Sequence, residues 1–535
     1  MQLRWIAVAV ATALSVAACT DQDPPVAPSA VSPPALSVAR GRRARGHIAR
    51  LRERAQPSAE FELRVESLGG TTESSAAAGI VLISGLTSEA AKELAADPEV
   101  LEVLPDVEIR LDPVRRRTES IGVEALHRRR SDFEKAELYA RQWNMDVIHA
   151  PVAWRAGKLG SSEVRVAILD SGIDPTHPDV AGLVDLNLSG SFFTTDVALG
   201  LVARFFPGSP IWTDLNGHGT HVANTIASNG IGTAGLTSRT RLIAVKVLDA
   251  LGNGSLGTVL NGIAYAASPG VNAHVINLSV GTFITVEDLL DPTDPDLDTI
   301  EEATAVFNGL VALFNDQVAA ARAAGSVVVV AAGNHGERLR LDDTRFDIFC
   351  EAIQGVCVSS TGPRRGRITG PRAFVGGFSD FDEPSVFTNF GDAVDLAAPG
   401  GNYTLNAMDE IVSGGFIWQA CSRTTLMFVP DADPFLEAED FQPDPCATSA
   451  EPMWAAFAGT SQAAPHVSGL AALLAAEVGN DRPAVIEARM FHGADDLGRD
   501  GRDKFFGRGR INVPRALFSR RHDQGRDDDH GGRGR

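Results

Sequence analysis

The chain has 535 residues, 44% of them hydrophobic, and a formal net charge of −20. That length exceeds one small domain and allows a large buried core with further segments around it. The composition fits a mostly globular chain, and the acidic excess argues against nucleic acid as a partner.

Residues 1–19 read as an export signal. Arg4 supplies the positive start, Ile6 to Val16 the apolar run, and Ala17-Ala18 the small residues before a cleavage point. The run is too short to span a membrane. Val16-Ala17-Ala18-Cys19 resembles the lipobox of bacterial lipoprotein signals, which implies lipidation of Cys19; an ordinary secretory signal is the alternative. Residues 20–58 follow as a linker. Pro24, Pro25, Pro28, Pro33 and Pro34 keep its first part extended. Arg40, Arg42, Arg43, Arg45, Arg50, Arg52 and Arg54 then read as a solvated tether, with contact to anionic lipid as the alternative.

Residues 59–112 read as a small α+β domain. Phe61, Leu63 and Val65 alternate as in a half-buried strand, and Gly79 to Leu86 is a second apolar run. Thr87 caps a helix expected to stop near Ala96, before Asp97-Pro98. Val107, Ile109 and Leu111 alternate again. Leu94 to Pro105 resembles the inhibitor-type prodomain of subtilisin-like proteases. Residues 113–142, with Arg115-Arg116-Arg117 and Arg128-Arg129-Arg130, read as an exposed, cleavable connector, or else as a charged helix face over Ala125 to Arg141.

From residue 143 strands and helices alternate. Val164 to Leu169, Leu242 to Val247, His274 to Leu278 and Ser326 to Val330 are apolar, β-branched runs; Leu256 to Ala267 and Val311 to Ala324 read as helices. This alternation implies an α/β fold with a doubly wound, mostly parallel sheet covered on both faces. In such sheets function gathers at strand C-terminal ends.

Those ends carry Asp170, then Asn216-Gly217-His218-Gly219-Thr220-His221, then Ala331-Ala332-Gly333-Asn334. Gly459-Thr460-Ser461 opens an apolar helix in which Pro465 is expected within the first turn. Each block alone also fits a turn or a helix cap. Together they offer a base-orienting carboxylate, a base, an amide donor and a nucleophile. His221, one turn beyond His218, reads as structural, since two histidines without a third ligand argue weakly for a metal.

The segments Ala167 to Asp174, His218 to Val222, Ala331 to Gly336 and Gly459 to Gly469 resemble the signature blocks of the subtilisin family of serine proteases. Phe506 to Asn512 resembles that family's closing segment, so the resemblance covers roughly residues 143–517 and implies a peptidase domain over 143–519. It implies a serine endopeptidase made as a self-processing zymogen, with Asp170, His218 and Ser461 as the triad. Asn334 and the Ser461 N–H would form the oxyanion hole. Gly254, Ser255, Leu256 and Gly257 would flank an extended peptide on one side and Ser279, Val280 and Gly281 on the other, with Ala332 and Gly333 at the floor of the first pocket. The implied partners are polypeptide substrates and the chain's own prodomain. An inactive scaffold of the same fold and a metal-dependent hydrolase using His218 and His221 are the alternatives.

The sequence departs from the family in three places. Asn229-Gly230-Ile231-Gly232 stands where many relatives have a longer calcium-binding loop. Asp291, Asp294, Asp296 and Asp298 form an acidic loop that reads as solvated, a structural calcium being the alternative; no cofactor is required. Residues 402–455 form a long insertion before the nucleophile, with smaller ones at 282–305 and 366–384. Besides Cys19 there are four cysteines, Cys350, Cys357, Cys421 and Cys446, an even number that suits two disulfides in an exported chain. Of three connectivities the local one, Cys350–Cys357 and Cys421–Cys446, is expected. Residues 520–535 read as a disordered charged tail.

Overall fold

The computed structural model describes residues 46–518, apart from 54–55, 74–76, 112–114, 121–132, 194–195, 197–198, 282, 291–298, 340–344, 348, 352–353, 364–380, 406–410, 430–436 and 479–481. The export signal, Cys19, the proline-rich stretch, the acidic aspartates at 291–298 and the tail lie outside the described residues. So does most of the insertion at 366–384.

The small domain is a four-stranded antiparallel sheet with two helices. Its elements are β1 (His47–Leu51), α1 (Ala59–Ser67), β2 (Thr71–Glu73), β3 (Ile80–Ser84), α2 (Ser88–Ala95) and β4 (Val100–Pro105), in sheet order β2-β3-β1-β4. Two expectations are corrected. Phe61 and Val65 belong to a helix, not a strand. They are four residues apart and buried on one face, Leu63 is exposed, and Ser58 caps the helix by accepting the Phe61 N–H at 3.1 Å. The linker also ends earlier than residue 58. β1 lies inside the sheet between β3 and β4 with Ile48 and Ala49 fully buried, and Arg50 pairs with Glu102 and Asp316 instead of being solvated. The Thr87 cap on α2 and its end at Ala96 are as expected.

The large domain is built on β7 (Arg165–Asp170), β8 (Gly190–Ser191), β9 (Arg241–Lys246), β11 (Val275–Leu278), β12 (Val327–Ala331), β13 (Val356–Gly362), β14 (Glu383–Pro384) and β15 (Leu396–Pro399). They form one eight-stranded sheet in the order β14-β13-β12-β11-β7-β9-β8, with β15 also on β13; only the β13–β14 pair is antiparallel. Strand residues alternate between two cores. Val166, Ile168, Val327 and Val329 face α3 (His218–Ile226), α6 (Thr460–Val478) and α7 (Pro483–Gly493). Ala167, Leu169, Val328 and Val330 face α4 (Leu256–Ala267) and α5 (Ile300–Ala323). Burial on both faces is why these strands read as unbroken apolar runs. α5 starts at Ile300, inside the stretch expected to be an insertion.

The open face of the small sheet packs on α4 and α5. A Cβ on Gly257 would lie 2.5 Å from Leu82 Cδ2, and one on Gly309 would lie 2.9 Å from Leu104 Cδ2, so glycine permits this approach. Beyond it, β5 (Glu108–Arg110) pairs antiparallel with β10 (Asn253–Ser255), and β6 (Arg115–Ser120) pairs antiparallel with β21 (Met453–Ala458). The connector at 115–120 is thus a paired strand, not an exposed coil, while residues 125–132 of the stretch expected as an alternative helix face lie outside the described residues.

The 402–455 insertion is ordered where described. β16 (Asn402–Leu405) pairs with β17 (Ile411–Gly415), β18 (Ile417–Ala420) with β21, and β19 (Leu426–Phe428) with β20 (Phe441–Pro443). Two disulfides are present, Cys350–Cys357 and Cys421–Cys446.

Candidate active site

β7 lies where the chain turns from one half of the sheet to the other: β9 is its neighbour on one side and β11 on the other. The crevice at such a switch point opens at the strand C-terminal ends. Asp170 ends β7 and is fully buried. His218 opens α3 beside it, with Nδ1 2.8 Å from Asp170 Oδ1 and 3.0 Å from Oδ2. A carboxylate on Nδ1 holds the imidazole in the tautomer whose Nε2 is the base. The approach depends on Gly219, because a Cβ there would stand 2.1 Å from the Gly172 carbonyl oxygen.

Asp214 fixes the start of α3. Its carboxylate accepts from the backbone N–H groups of Asn216 (3.1 Å), Gly217 (2.8 Å) and Thr220 (2.8 Å), the Thr220 hydroxyl (2.7 Å) and the Ser171 hydroxyl (2.8 Å). Burial pushes the Asp214 pKa up, against these hydrogen bonds. Ser171 directly follows Asp170 and also accepts the Gly219 N–H at 3.0 Å. One carboxylate therefore ties the strand bearing Asp170 to the helix bearing His218. Sequence reasoning passed over Asp214; the signal was an aspartate four residues before the histidine, in the position of a helix-terminal acceptor.

Ser461 is the second residue of α6 and is 6% exposed. Its hydroxyl donates to the Ser279 carbonyl oxygen at 2.9 Å, and the Ser279 hydroxyl donates to the Ser461 carbonyl oxygen at 2.9 Å. α6 begins at Thr460, so Pro465 falls in the second turn, not the first as expected. The residue at 465 would normally donate to the carbonyl four residues back, that of Ser461. Proline has no N–H, so that carbonyl is open to Ser279. Behind Ser279, Asn277 donates to its hydroxyl (2.9 Å), and Ser468 donates to Asn277 Oδ1 (2.8 Å).

Asn334 follows β12. Its Oδ1 accepts the Thr460 N–H (2.7 Å) and the Thr460 hydroxyl (2.8 Å), while Thr460 Oγ1 accepts the Gly333 N–H (3.0 Å). These contacts turn Nδ2 toward the residues before Ser461, 3.3 Å from where a Cβ on Gly459 would be. Thr460 is thus a second positioning residue that motif reading left unassigned. Gly333 also lies against Gly281, whose Cβ would stand 3.2 Å from Gly333 Cα. Ala332 is held through its carbonyl, which accepts from Asn389 at 2.8 Å.

The first predicted peptide-binding segment is occupied by the chain itself. Gly254 lies opposite Ile109 and Ser255 opposite Glu108; Leu111 N–H donates to the Gly252 carbonyl and Leu256 N–H to the Val107 carbonyl. Leu256 and Gly257 already belong to α4, and Asp106 accepts the Gly257 N–H at 2.8 Å. Ser279, Val280 and Gly281 follow β11 at the next strand end.

His221 is structural. Its Nε2 bonds the Ile417 carbonyl at 3.0 Å, its ring stacks on Phe457 at 4.2 Å, and burial pulls its pKa down to about 3. The short loop at 229–233 closes on Asp179, whose carboxylate accepts from the Ile231 and Thr233 N–H groups, the Thr233 hydroxyl and Trp454 Nε1. Protein donors fill the coordination space of that carboxylate, so it does not fit a cation. Among the described residues no cluster of three or more His, Cys, Asp or Glu side chains could hold a metal.

The family model for subtilases, peptidase S8, matches residues 161–509. The chain belongs to the subtilase family. A thermophilic serine proteinase of Bacillus sp. (strain AK1) is 30% identical over 379 residues, 70% of this chain and 67% of the relative. Thermitase of Thermoactinomyces vulgaris is 28% identical over 381 residues, covering 71% of this chain and 96% of thermitase. Subtilisin Savinase of Lederbergia lenta is 32% identical over 262 residues, 49% of this chain and 72% of its own. Among solved structures, fervidolysin from Fervidobacterium pennivorans aligns with a TM-score of 0.55 at 21% identity, over 88% of this chain and 60% of that one. The epidermin leader peptide processing protease of Staphylococcus aureus aligns with a TM-score of 0.57 at 20% identity, over 88% and 97%. These two establish the subtilisin-like fold. This subtilase is a serine endopeptidase, a hydrolase of peptide bonds.

Proposed function

We propose that this subtilase is an exported, self-processing endopeptidase in which Ser461, His218 and Asp170 form the triad. Ser461 Oγ leaves the Ser279 carbonyl and attacks the substrate carbonyl carbon. His218 takes its proton and returns it to the leaving amine. Asp170 holds the Nδ1–H tautomer and stabilises the imidazolium. Asn334 Nδ2 and the Ser461 N–H receive the oxyanion. Water then hydrolyses the acyl-enzyme by the same steps in reverse order. The chemistry calls on no cofactor.

The observation that carries this reading is the course of the connector. β5 lies on β10, β6 lies on β21, and Ala458, opposite Arg115, stands three residues before Ser461. A chain laid through the cleft on both sides of the nucleophile is a self-inhibited zymogen. The processing bond is therefore proposed within 111–115. By resemblance the small domain is the inhibitory prodomain, Cys19 is lipidated, and the mature protein works in the bacterial cell envelope on polypeptides.

Labelling with a fluorophosphonate probe, lost in Ser461→Ala, tests the nucleophile. Mass spectrometry of wild type and Ser461→Ala tests self-processing: a fragment ending within 111–115 should come from wild type alone, and equal processing in both sinks the idea. Cys19→Ser should release the protein from membranes; unchanged fractionation counts against lipidation.

A further inference from the structure

Lys246 ends β9 directly opposite Asp170 in the parallel register of β7 and β9. Its side chain is fully buried, and a buried ammonium has to find its partners inside the protein. Nζ donates to the Ser171 carbonyl oxygen at 2.7 Å and pairs with Asp196 Oδ2 at 3.1 Å. Ser171 is the residue that ties the site together. Its N–H donates to Asp170 Oδ1 at 2.7 Å, and its hydroxyl donates to Asp214 Oδ1 at 2.8 Å. Lys246 therefore holds the residue through which both carboxylates beside His218 are fixed. Asp196 lies in the stretch after β8, is buried as well, and accepts the Ala250 N–H through Oδ1 at 3.2 Å. Ala250 belongs to a buried cluster that joins Leu201 and Val202, shortly after Asp196, to Leu426 and Phe441 of the 402–455 insertion. The ion pair thus sits away from bulk water, where charges are felt over a longer range than at the surface.

We propose that Lys246 is a positioning residue for the base, and that its pairing with Asp196 sets the pH at which His218 becomes active. The inference rests on the reading of His218 as the general base. His218 gains a positive charge when it takes the Ser461 proton. The Lys246 ammonium opposes that charge, and the Asp196 carboxylate supports it. Other titratable groups surround the start of α3. They are Asp170 at the end of β7 and Asp174 after it, Asp214 before α3, His221 on α3, His466 on α6 and Asp249 after β9. Asp174 accepts from the Thr176 and Arg423 N–H groups, and Asp249 from those of Leu251 and Asn253. Burial keeps His221 and His466 neutral near neutral pH. With a neutral residue in place of Lys246, the carboxylates around His218 weigh more heavily. The imidazole then keeps a bound proton, and stays idle as a base, to higher pH.

The test is the pH profile of kcat/KM on a neutral fluorogenic peptide, measured on the processed enzyme and normalised to fluorophosphonate-labelled sites. In Lys246→Met the acid limb should move up by about half a pH unit, within the range that one neighbouring charge produces. In Asp196→Asn, where the ammonium loses its partner, the limb should move down by a similar amount. Lys246→Arg keeps the charge and should leave the limb where wild type has it, whatever happens to the rate. Unmoved limbs in Lys246→Met and Asp196→Asn, or shifts of the same sign in both, overturn the proposal. Where Lys246→Met fails to fold, Asp196→Asn decides, and a limb at the wild-type position there overturns it. Failure of the underlying reading is seen separately, as hydrolysis that survives in His218→Ala.

Discussion

Ser461 and Ser279 exchange two hydrogen bonds, each hydroxyl donating to the other's carbonyl at 2.9 Å. The pair seats Ser461, the proposed nucleophile, against the strand end that follows β11, and Pro465 makes the exchange available by withholding the helical N–H that would otherwise claim the Ser461 carbonyl. Pro465→Ala restores that competing donor. We expect kcat to fall by about tenfold while the thermal midpoint does not fall, since a proline inside a helix is intrinsically unfavourable. Unchanged kcat would mean that the exchange with Ser279 has no part in turnover.

Asp170→Asn should keep the fold but hold the wrong imidazole tautomer, lowering kcat by about 10⁴ with little change in KM. Asn334→Leu removes one oxyanion donor and should cost about 10²–10³ in kcat, the magnitude known for such a donor in a subtilisin. Steady-state kinetics on one peptide substrate reads both. A KM effect larger than the kcat effect would move either residue from transition-state stabilisation to substrate binding.

The Asp214 carboxylate bonds backbone N–H groups and hydroxyls around the start of α3, so it is expected to act by positioning His218. Asp214→Asn keeps one accepting oxygen and should lower kcat by about tenfold, with KM retained and fluorophosphonate labelling slowed in proportion. Loss of stability with normal labelling in the surviving folded protein would leave it a purely structural residue.

Two buried histidines set a pH limit on stability. His466 accepts at Nε2 from Asn144 and donates from Nδ1 to the Gln462 carbonyl, both at 2.8 Å, and burial pulls its pKa down to about 4. His221 is pulled down to about 3. Below pH of about 6.5 the unfolded chain takes up these protons and the folded chain does not. The unfolded state then binds more protons, so stability falls as pH falls through the window from about 6.5 toward the folded values. Each histidine contributes at most about 1.4 kcal/mol per pH unit. Urea midpoints of Ser461→Ala, chosen to prevent autolysis, should drop between pH 7 and pH 4.5. A further His466→Gln change should flatten the slope; an unaltered slope would exclude His466 as a source.

The Cys421–Cys446 bridge closes a separation of 25 residues. On the chain-entropy account, replacing both cysteines with serine should cost about 3.5 kcal/mol. Denaturant midpoints under oxidising conditions measure it, and an unchanged midpoint would show that packing on β21 alone holds the insertion.

The sequence was most informative where local chemistry and periodicity agree. The apolar runs at 164–169, 242–247, 274–278 and 326–330 match the buried parallel strands to within one or two residues, because burial on both faces leaves no polar alternation to mislead. The placement of Asp170, His218, Asn334 and Ser461 at or just beyond strand and helix ends was legible from their turn-forming neighbours. Periodicity failed at Phe61-Leu63-Val65. Three apolar residues two apart fit a strand, and only the packing of Phe61 and Val65 on the small sheet, with Leu63 left outside, decided for a helix. The buried strand at His47–Leu51 was hidden by its arginine-rich surroundings.

Composition and motif order by themselves determined that this chain carries a doubly wound α/β domain with the residues of a serine endopeptidase at its strand ends. Tertiary structure alone decided which groups meet: that Asp214 joins Ser171 to the start of α3, that Pro465 opens the Ser461 carbonyl to Ser279, and that an arginine-rich connector lies as a strand along β21. The reason is physical. A motif fixes residue types at short spacing, whereas Ser171 and Asp214, Ser279 and Ser461, or Arg115 and Ala458 are distant in the chain, and only packing of the whole fold brings their hydrogen-bonding groups within reach.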